Sequence, residues 1–217
     1  MGIKERCAKV IDWFEKNMSR AETELCYTDP FQLLIAVVLA AQCTDKRVNL
    51  ITPTLFNAFP TPEILASSNE DVIYEYIKSI SYPKNKSKFL LAMAKMLVAS
   101  YAGQVPSNIK ELMKLPGVGR KTANVVASIA FGIPAIAVDT HVFRVSNRIG
   151  LTNHTQTPIQ TEYVLTKHIP KKLWTKAHHW LILHGRYICI ARKPHCYNCG
   201  LKEFCDYFSK NMKGENI

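Results

Sequence analysis

The chain has 217 residues, 47% of them hydrophobic and 21% charged, with a formal net charge of +11. That composition excludes a disordered tail, a collagen or a mini-protein, and leaves enough material for one large domain or two small ones. Its longest uninterrupted apolar run, Leu33 to Ala41, is nine residues, less than half of the roughly 20 that a membrane-spanning helix needs. The first residues, Met1-Gly2-Ile3-Lys4-Glu5-Arg6, have no apolar stretch behind their charges, so we expect a cytoplasmic protein, nucleoid-associated if it binds DNA. In chain order, apolar spacings of three and four predict helices near 4–18, 30–42, 45–58, 62–68, 70–79, 84–101, 108–114, 120–131, 139–149, 158–168 and 171–188. Asp29-Pro30, Thr61-Pro62 and Thr157-Pro158 each set a capping side chain before a proline suited to the first helical position. Gly150 reads as a C-terminal cap. Alternating strand patterns and Asn-Gly hairpin turns are missing, so the expected fold is all-α, with the polar-free segment Leu33 to Ala41 as a central buried helix.

The charge is uneven. Residues 139–217 carry twelve Lys and Arg against five Asp and Glu, whereas residues 1–20 and 21–138 are each only two positive. Charge alone fits a polyanion partner and a solubilising surface equally well.

Seven cysteines, an odd number, do not read as a disulfide framework. Cys7, Cys26 and Cys43 are scattered, and the reading for each is a small buried apolar side chain. Cys189, Cys196, Cys199 and Cys205 instead fall within 17 residues as Cys-x6-Cys-x2-Cys-x5-Cys. Four thiolates this close suit one metal centre. Structural zinc favours two short Cys-x2–4-Cys knuckles, and only Cys196 and Cys199 form one; a four-iron cluster accepts longer ligand loops, so the spacing favours the cluster, with zinc and free thiols as alternatives. Arg192 and Lys193 lie in the first loop, where a metal-stiffened backbone would present them to phosphates.

The segment Leu115-Pro116-Gly117-Val118-Gly119-Arg120-Lys121 joins two short helices through a turn with two glycines. Glycine permits positive φ and close backbone approach to a ligand, and the next helix offers its first N–H groups, so the turn has the makings of a phosphate cradle. No Gly-x4-Gly-Lys-Ser/Thr is present and no strand precedes the glycines, which excludes the Walker and Rossmann readings. On the glycines alone an ordinary tight turn is the simpler reading. Lys121 adds chemistry: in the first helical turn, beside Arg120, the helix dipole and a neighbouring cation both favour its neutral, nucleophilic amine. Eighteen residues on, Ala137-Val138-Asp139-Thr140-His141 sets a carboxylate at a helix start, which by itself is a plain N-cap.

Taken together, the hairpin with its lysine, the Val-Asp-Thr-His and the four-cysteine spacing resemble the endonuclease III family of helix-hairpin-helix DNA glycosylases, over nearly the whole chain. Leu39-Ala40-Ala41-Gln42-Cys43-Thr44-Asp45 is similar to that family's Leu-Ser-x-Gln-x-Thr-Asp segment. The resemblance implies a six-helix barrel over residues 21–134. It also implies a second, discontinuous helical domain from residues 1–20 and 135–217, carrying a [4Fe-4S] cluster on the four cysteines. The implied activity is base excision by a bifunctional DNA glycosylase and abasic-site lyase, acting as a monomer on double-stranded DNA with damaged bases or abasic sites. Oxidised or saturated pyrimidines would be removed through a Schiff base on Lys121. Asp139 would face Lys121 across the cleft, activating the amine, and β-elimination would then cut on the 3′ side. Leu115, Gly117, Val118, Gly119 and Arg120 would grip phosphates, and Gln42 would fill the gap left by the flipped nucleotide. One position departs from the family: in Ser81-Tyr82-Pro83-Lys84-Asn85-Lys86-Ser87 the family has Gly-Leu-Tyr-Asn-Ser-Lys-Ala, so Tyr82 replaces the wedge leucine and would stack on the orphaned base. Lys121 also separates the chain from the adenine-mismatch and thymine-mismatch branches, which usually lack a lysine there.

Overall fold

A computed structural model describes residues 1–211. Regular structure among these residues is entirely helical, as twelve α-helices and three short 3-10 turns. The chain divides into two compact units, one of Glu24–Ile133 and one of Met1–Thr23 with the chain from Pro134 onward. No helix among the described residues is long and apolar enough to cross a membrane.

The unit Glu24–Ile133 holds α2 (Pro30–Leu39), α3 (Asp45–Ala58), α4 (Pro62–Ala66), α5 (Glu70–Ile77), α6 (Pro83–Tyr101), α7 (Ile109–Leu112) and α8 (Arg120–Phe131). Its axis is α2, in which every residue from Leu33 to Leu39 is buried, against α8, α3 and α6. Each Leu, Ile or Val side chain among them contributes about 1.5–3 kcal/mol on burial. Asp29 starts α2 as expected, its Oδ1 accepting from the Phe31 and Gln32 N–H groups at 2.8 and 2.9 Å. The helix stops at Leu39, three residues before the expected end. There Lys86, buried on α6, donates from Nζ to the Leu39 and Ala41 carbonyls at 2.8 and 2.7 Å. A tertiary partner thus satisfies carbonyls that another helical turn would have used.

In the other unit, α1 (Ile3–Asn17), α9 (Thr140–Ile149), α10 (Pro158–His168), α11 (Trp174–Tyr187) and α12 (Asp206–Asn211) enclose a core that includes Val10, Phe14, Val142, Val145, Ile149, Leu165, Trp180 and Leu201. Phe14 of α1 stacks on Trp180 of α11, with ring centroids 5.6 Å apart. Buried Arg6 donates to the Gly150 and Phe204 carbonyls, both at 2.9 Å, and pairs with Asp206. Gly150, the expected C-cap, has φ +89°. The stretch expected as one helix over 171–188 opens as a 3-10 turn, Lys171–Leu173, before α11 begins.

Candidate active site

The glycine turn between α7 and α8 is tight and asymmetric. Gly117 has φ +78°, and a Cβ there would sit 2.9 Å from Cβ of Phe89 on α6. Gly119 instead is extended, φ −86° and ψ 176°, and a Cβ on it would meet nothing within 4 Å. Positive φ therefore explains the first glycine, whereas nothing in the surrounding fold demands the second. Leu115 and Val118 are buried, 2% and 6% exposed, and the Val118 N–H is bonded to the Leu115 carbonyl at 3.1 Å. Their side chains pin the turn into the core, so only their backbone is placed to meet a ligand. Behind the turn α8 starts without a side-chain cap, and Arg120 and Lys121 are exposed on its first turn.

Gln42 and Tyr82 come together. Gln42 lies in the loop after α2 rather than at a helix end, with φ +57°, and Ser81 Oγ donates to its carbonyl at 2.7 Å. Tyr82, the residue before α6, has φ +56° and is 61% exposed. Two loops almost 40 residues apart in sequence thus run side by side, held by Ser81 from one direction and Lys86 from another. Burial pushes the Lys86 ammonium below the usual lysine range, and the nearby Cys43 partly opposes this. No local pattern announces Lys86, because both of its acceptors lie more than 40 residues away.

Asp139 belongs to the other unit and is the N-cap of α9, with Oδ1 accepting from the Val142 N–H at 2.8 Å. The cap fixes the carboxylate's direction. The extended strand of chain before it is anchored by buried His178, whose Nδ1 lies 2.7 Å from the Ala137 carbonyl. A carbonyl only accepts, so Nδ1 carries the proton. Farther along α9, Arg144 donates to the Cys189 and Gly185 carbonyls at 3.1 and 2.9 Å, and Arg148 to those of Ile190 and Ala191 at 2.7 and 2.9 Å. The loop bearing exposed Arg192 and Lys193 is therefore strapped to α9 through its backbone.

Cys189, Cys196, Cys199 and Cys205 line one cavity together with Arg148, His184, Ile188 and Leu201. All four are free thiols. Among the described residues no three His, Cys, Asp or Glu side chains are arranged to hold a metal ion. Burial raises the Cys205 thiol to about 11 and also lifts Cys196 and Cys199. Such thiols are poor nucleophiles but ready soft donors once a metal displaces the proton. Of the scattered cysteines, Cys7 is buried as expected and packs in the core. Cys26 is exposed and Cys43 intermediate, contrary to the expectation, because each lies in a loop flanking α2 rather than on its buried face.

Residues 35–171 match the model of the HhH-GPD superfamily base excision DNA repair protein family. Endonuclease III of Rickettsia conorii is 52% identical over 92% of this chain and 95% of its own length. The Bacillus subtilis protein of the same name is 48% identical over 89% and 88%, and that of Escherichia coli K12 42% over 95% and 98%. A solved endonuclease III trapped as a covalent intermediate with DNA superposes with a TM-score of 0.93 at 45% identity, covering 98% of this chain and all of that one. A thermostable thymine-DNA glycosylase at 24% identity shares the fold, with a TM-score of 0.86. The chain belongs to the endonuclease III family within the HhH-GPD superfamily.

Proposed function

We propose that the protein is a bifunctional base-excision-repair enzyme that removes oxidised or saturated pyrimidines from duplex DNA and cleaves the resulting abasic site. The observation that carries this reading is an exposed lysine in an uncapped helical first turn, directly behind the Gly117–Gly119 turn, in a chain of this family. The free space over Gly119 supports phosphate approach along the backbone, with Arg120, Arg192 and Lys193 adding charge. Their charges and those of the basic C-terminal region suit a scanning enzyme that binds without reading sequence.

In this mechanism the neutral Lys121 amine attacks C1′ of the flipped nucleotide, the C1′–N bond breaks, and the base leaves with a proton. Asp139 accepts the proton from the amine and offsets the positive charge that develops on the sugar. The C1′–O4′ bond then opens, O4′ taking up the proton that Asp139 received, and the resulting iminium carbon acts as an electron sink: a C2′ proton is lost, the C3′–O bond breaks with departure of the 3′ phosphate, and hydrolysis returns the lysine. Gln42 and Tyr82 occupy the gap left in the stack, a role supported by their neighbouring outward loops.

The cysteine cavity fits a [4Fe-4S] cluster. Its donors are four cysteine sulfurs lining one cavity, soft ligands of the kind that hold iron–sulfur clusters. Cys189, Cys196, Cys199 and Cys205 would hold it, and its role is to fix the basic loop; no step above draws electrons from it. Iron and sulfide analysis with the visible absorbance of the purified protein distinguishes this cluster from zinc. Borohydride trapping on duplexes carrying thymine glycol or an abasic site tests the reaction. A covalent adduct is expected from the wild type and not from Lys121→Ala; base release without an adduct removes Lys121 from the nucleophile's role.

A further inference from the structure

Behind the cysteine cavity lies one imidazole that the reaction does not use. His184 of α11 is 2% exposed, with Nε2 3.6 Å from Sγ of Cys199. Its ring stands edge-on to Phe14 at 5.6 Å and to Trp13 at 6.4 Å between centroids. Its own carbonyl accepts the Cys189 N–H at 2.7 Å, so the residue touches two of the four cysteines, one by backbone and one by side chain. Nδ1 is fully buried and has no hydrogen-bond partner among the described residues.

That arrangement decides the tautomer. With the proton on Nδ1, a buried N–H would have no hydrogen-bond acceptor among the described residues, and the Nε2 lone pair would face an anionic sulfur. With the proton on Nε2, the N–H meets the thiolate, and only an acceptor lone pair is left without a partner, the more tolerable of the two deficits.

We propose that His184 donates an N–H···S hydrogen bond from Nε2 to the Cys199 thiolate and so holds the cluster's reduction potential up. The inference rests on the cluster reading of the cysteine cavity. A donor aimed at a ligand sulfur stabilises whichever cluster state carries more electron density there, which is the reduced one. One electron enters or leaves the cluster, and the imidazole proton stays on its ring. His184 is a positioning residue, acting on the metal through Cys199 and not on DNA.

The test compares fully loaded wild type with His184→Leu, His184→Met and His184→Gln by voltammetry of the immobilised protein. Leu and Met remove the donor; Gln places an amide N–H at nearly the reach of Nε2. The donor-free variants are expected at more negative potential by at least threefold in the one-electron reduction constant, about 30 mV. Gln should stay near the wild type. Loaded Leu and Met variants at the wild-type potential, or Gln displaced as far as Leu, overturn the proposal. If neither Leu nor Met retains iron, pulsed EPR of the paramagnetic one-electron form decides. The sample is 15N-histidine-labelled His195→Gln protein, which removes the other imidazole lining the cavity. A ring-nitrogen coupling supports the bond and its absence refutes it. Zinc or no metal in the purified wild type is a separate result, which removes the cluster reading and this inference with it.

Discussion

The two glycines of the hairpin make opposite predictions, although they are separated by one residue. An alanine at 117 must hold φ +78°, which costs about 1–2 kcal/mol for a residue with a Cβ. That Cβ would also lie 2.9 Å from Cβ of Phe89, an atom fixed to the α6 backbone rather than a flexible tip. Relieving such an overlap costs about 1–3 kcal/mol more. Gly117→Ala should therefore lose about 2–5 kcal/mol in urea unfolding. Gly119→Ala faces neither problem, since its backbone is extended and its Cβ meets open space. The poorer N-cap and the stiffer unfolded chain should offset each other to within about 1 kcal/mol. Its defect should appear only with DNA, where a methyl in the phosphate's path should weaken binding to an abasic-analogue duplex at least tenfold, about 1.4 kcal/mol. Fluorescence anisotropy under fixed salt reads that number. Equal stability losses in the two variants would refute the conformational argument. Wild-type affinity in Gly119→Ala would refute the close approach of a phosphate.

Three further outcomes follow from single contacts. Lys86→Met leaves the Leu39 and Ala41 carbonyls without their shared donor, so urea unfolding should show a loss of about 2–4 kcal/mol. Asp139→Asn keeps an oxygen for the Val142 N–H and should melt within about 0.5 kcal/mol of wild type. Asp139→Ala should lose about 1 kcal/mol with the cap, while both abolish most single-turnover base release. His179, buried beside His178 and near Arg186, has its pKa lowered to about 4, chiefly by burial. The unfolded chain therefore binds one more proton there between about pH 6.5 and 4, and the stabilisation from keeping the ring neutral is lost as pH falls through that window. The loss approaches about 3 kcal/mol, and His179→Leu should flatten the slope of urea stability against pH over the same range.

Much of the fold was legible because its signals are local. Asp29, Thr61 and Thr157 cap their helices through the next few backbone N–H groups, and Gly150 ends α9 with the positive φ its type suggests. Leu90, Met93, Ala94 and Leu97, spaced as one helical face, are all fully buried. The cysteine quartet was visible from spacing for the same reason. The end of α2 was not, because Lys86 decides it from more than 40 residues away. His184 was equally silent: in sequence it is one histidine among seven, and only the fold brings its ring to Cys199. The straps from Arg144 and Arg148 to the cysteine loop span 42 to 45 residues, beyond any period that a helix or strand imposes.

Backbone strain in this protein is concentrated where no sequence pattern marks it. Six non-glycine residues have positive φ among the described residues: Gln42, Tyr82, Ala102, Asn153, His154 and Lys193. Ala102 ends a helix, where a left-handed residue commonly closes the last turn. Asn153 is of a type that tolerates the conformation, and His154 follows it in the same turn. Gln42, Tyr82 and Lys193 have no such excuse, and each is an expected DNA contact on sequence grounds unrelated to its φ. Holding a residue with a Cβ there costs about 1–2 kcal/mol, and it persists only where neighbours over-determine it. At Gln42 and Tyr82 those neighbours are identifiable, in the Ser81 hydroxyl on the Gln42 carbonyl and the buried Lys86 ammonium below both loops. At Lys193 they are the Arg148 bonds to Ile190 and Ala191 just upstream. Folding alone gains nothing from aiming an exposed glutamine, tyrosine and lysine through strained backbone. At Gln42 and Tyr82 a stacked base would repay that strain, and at Lys193 a phosphate would.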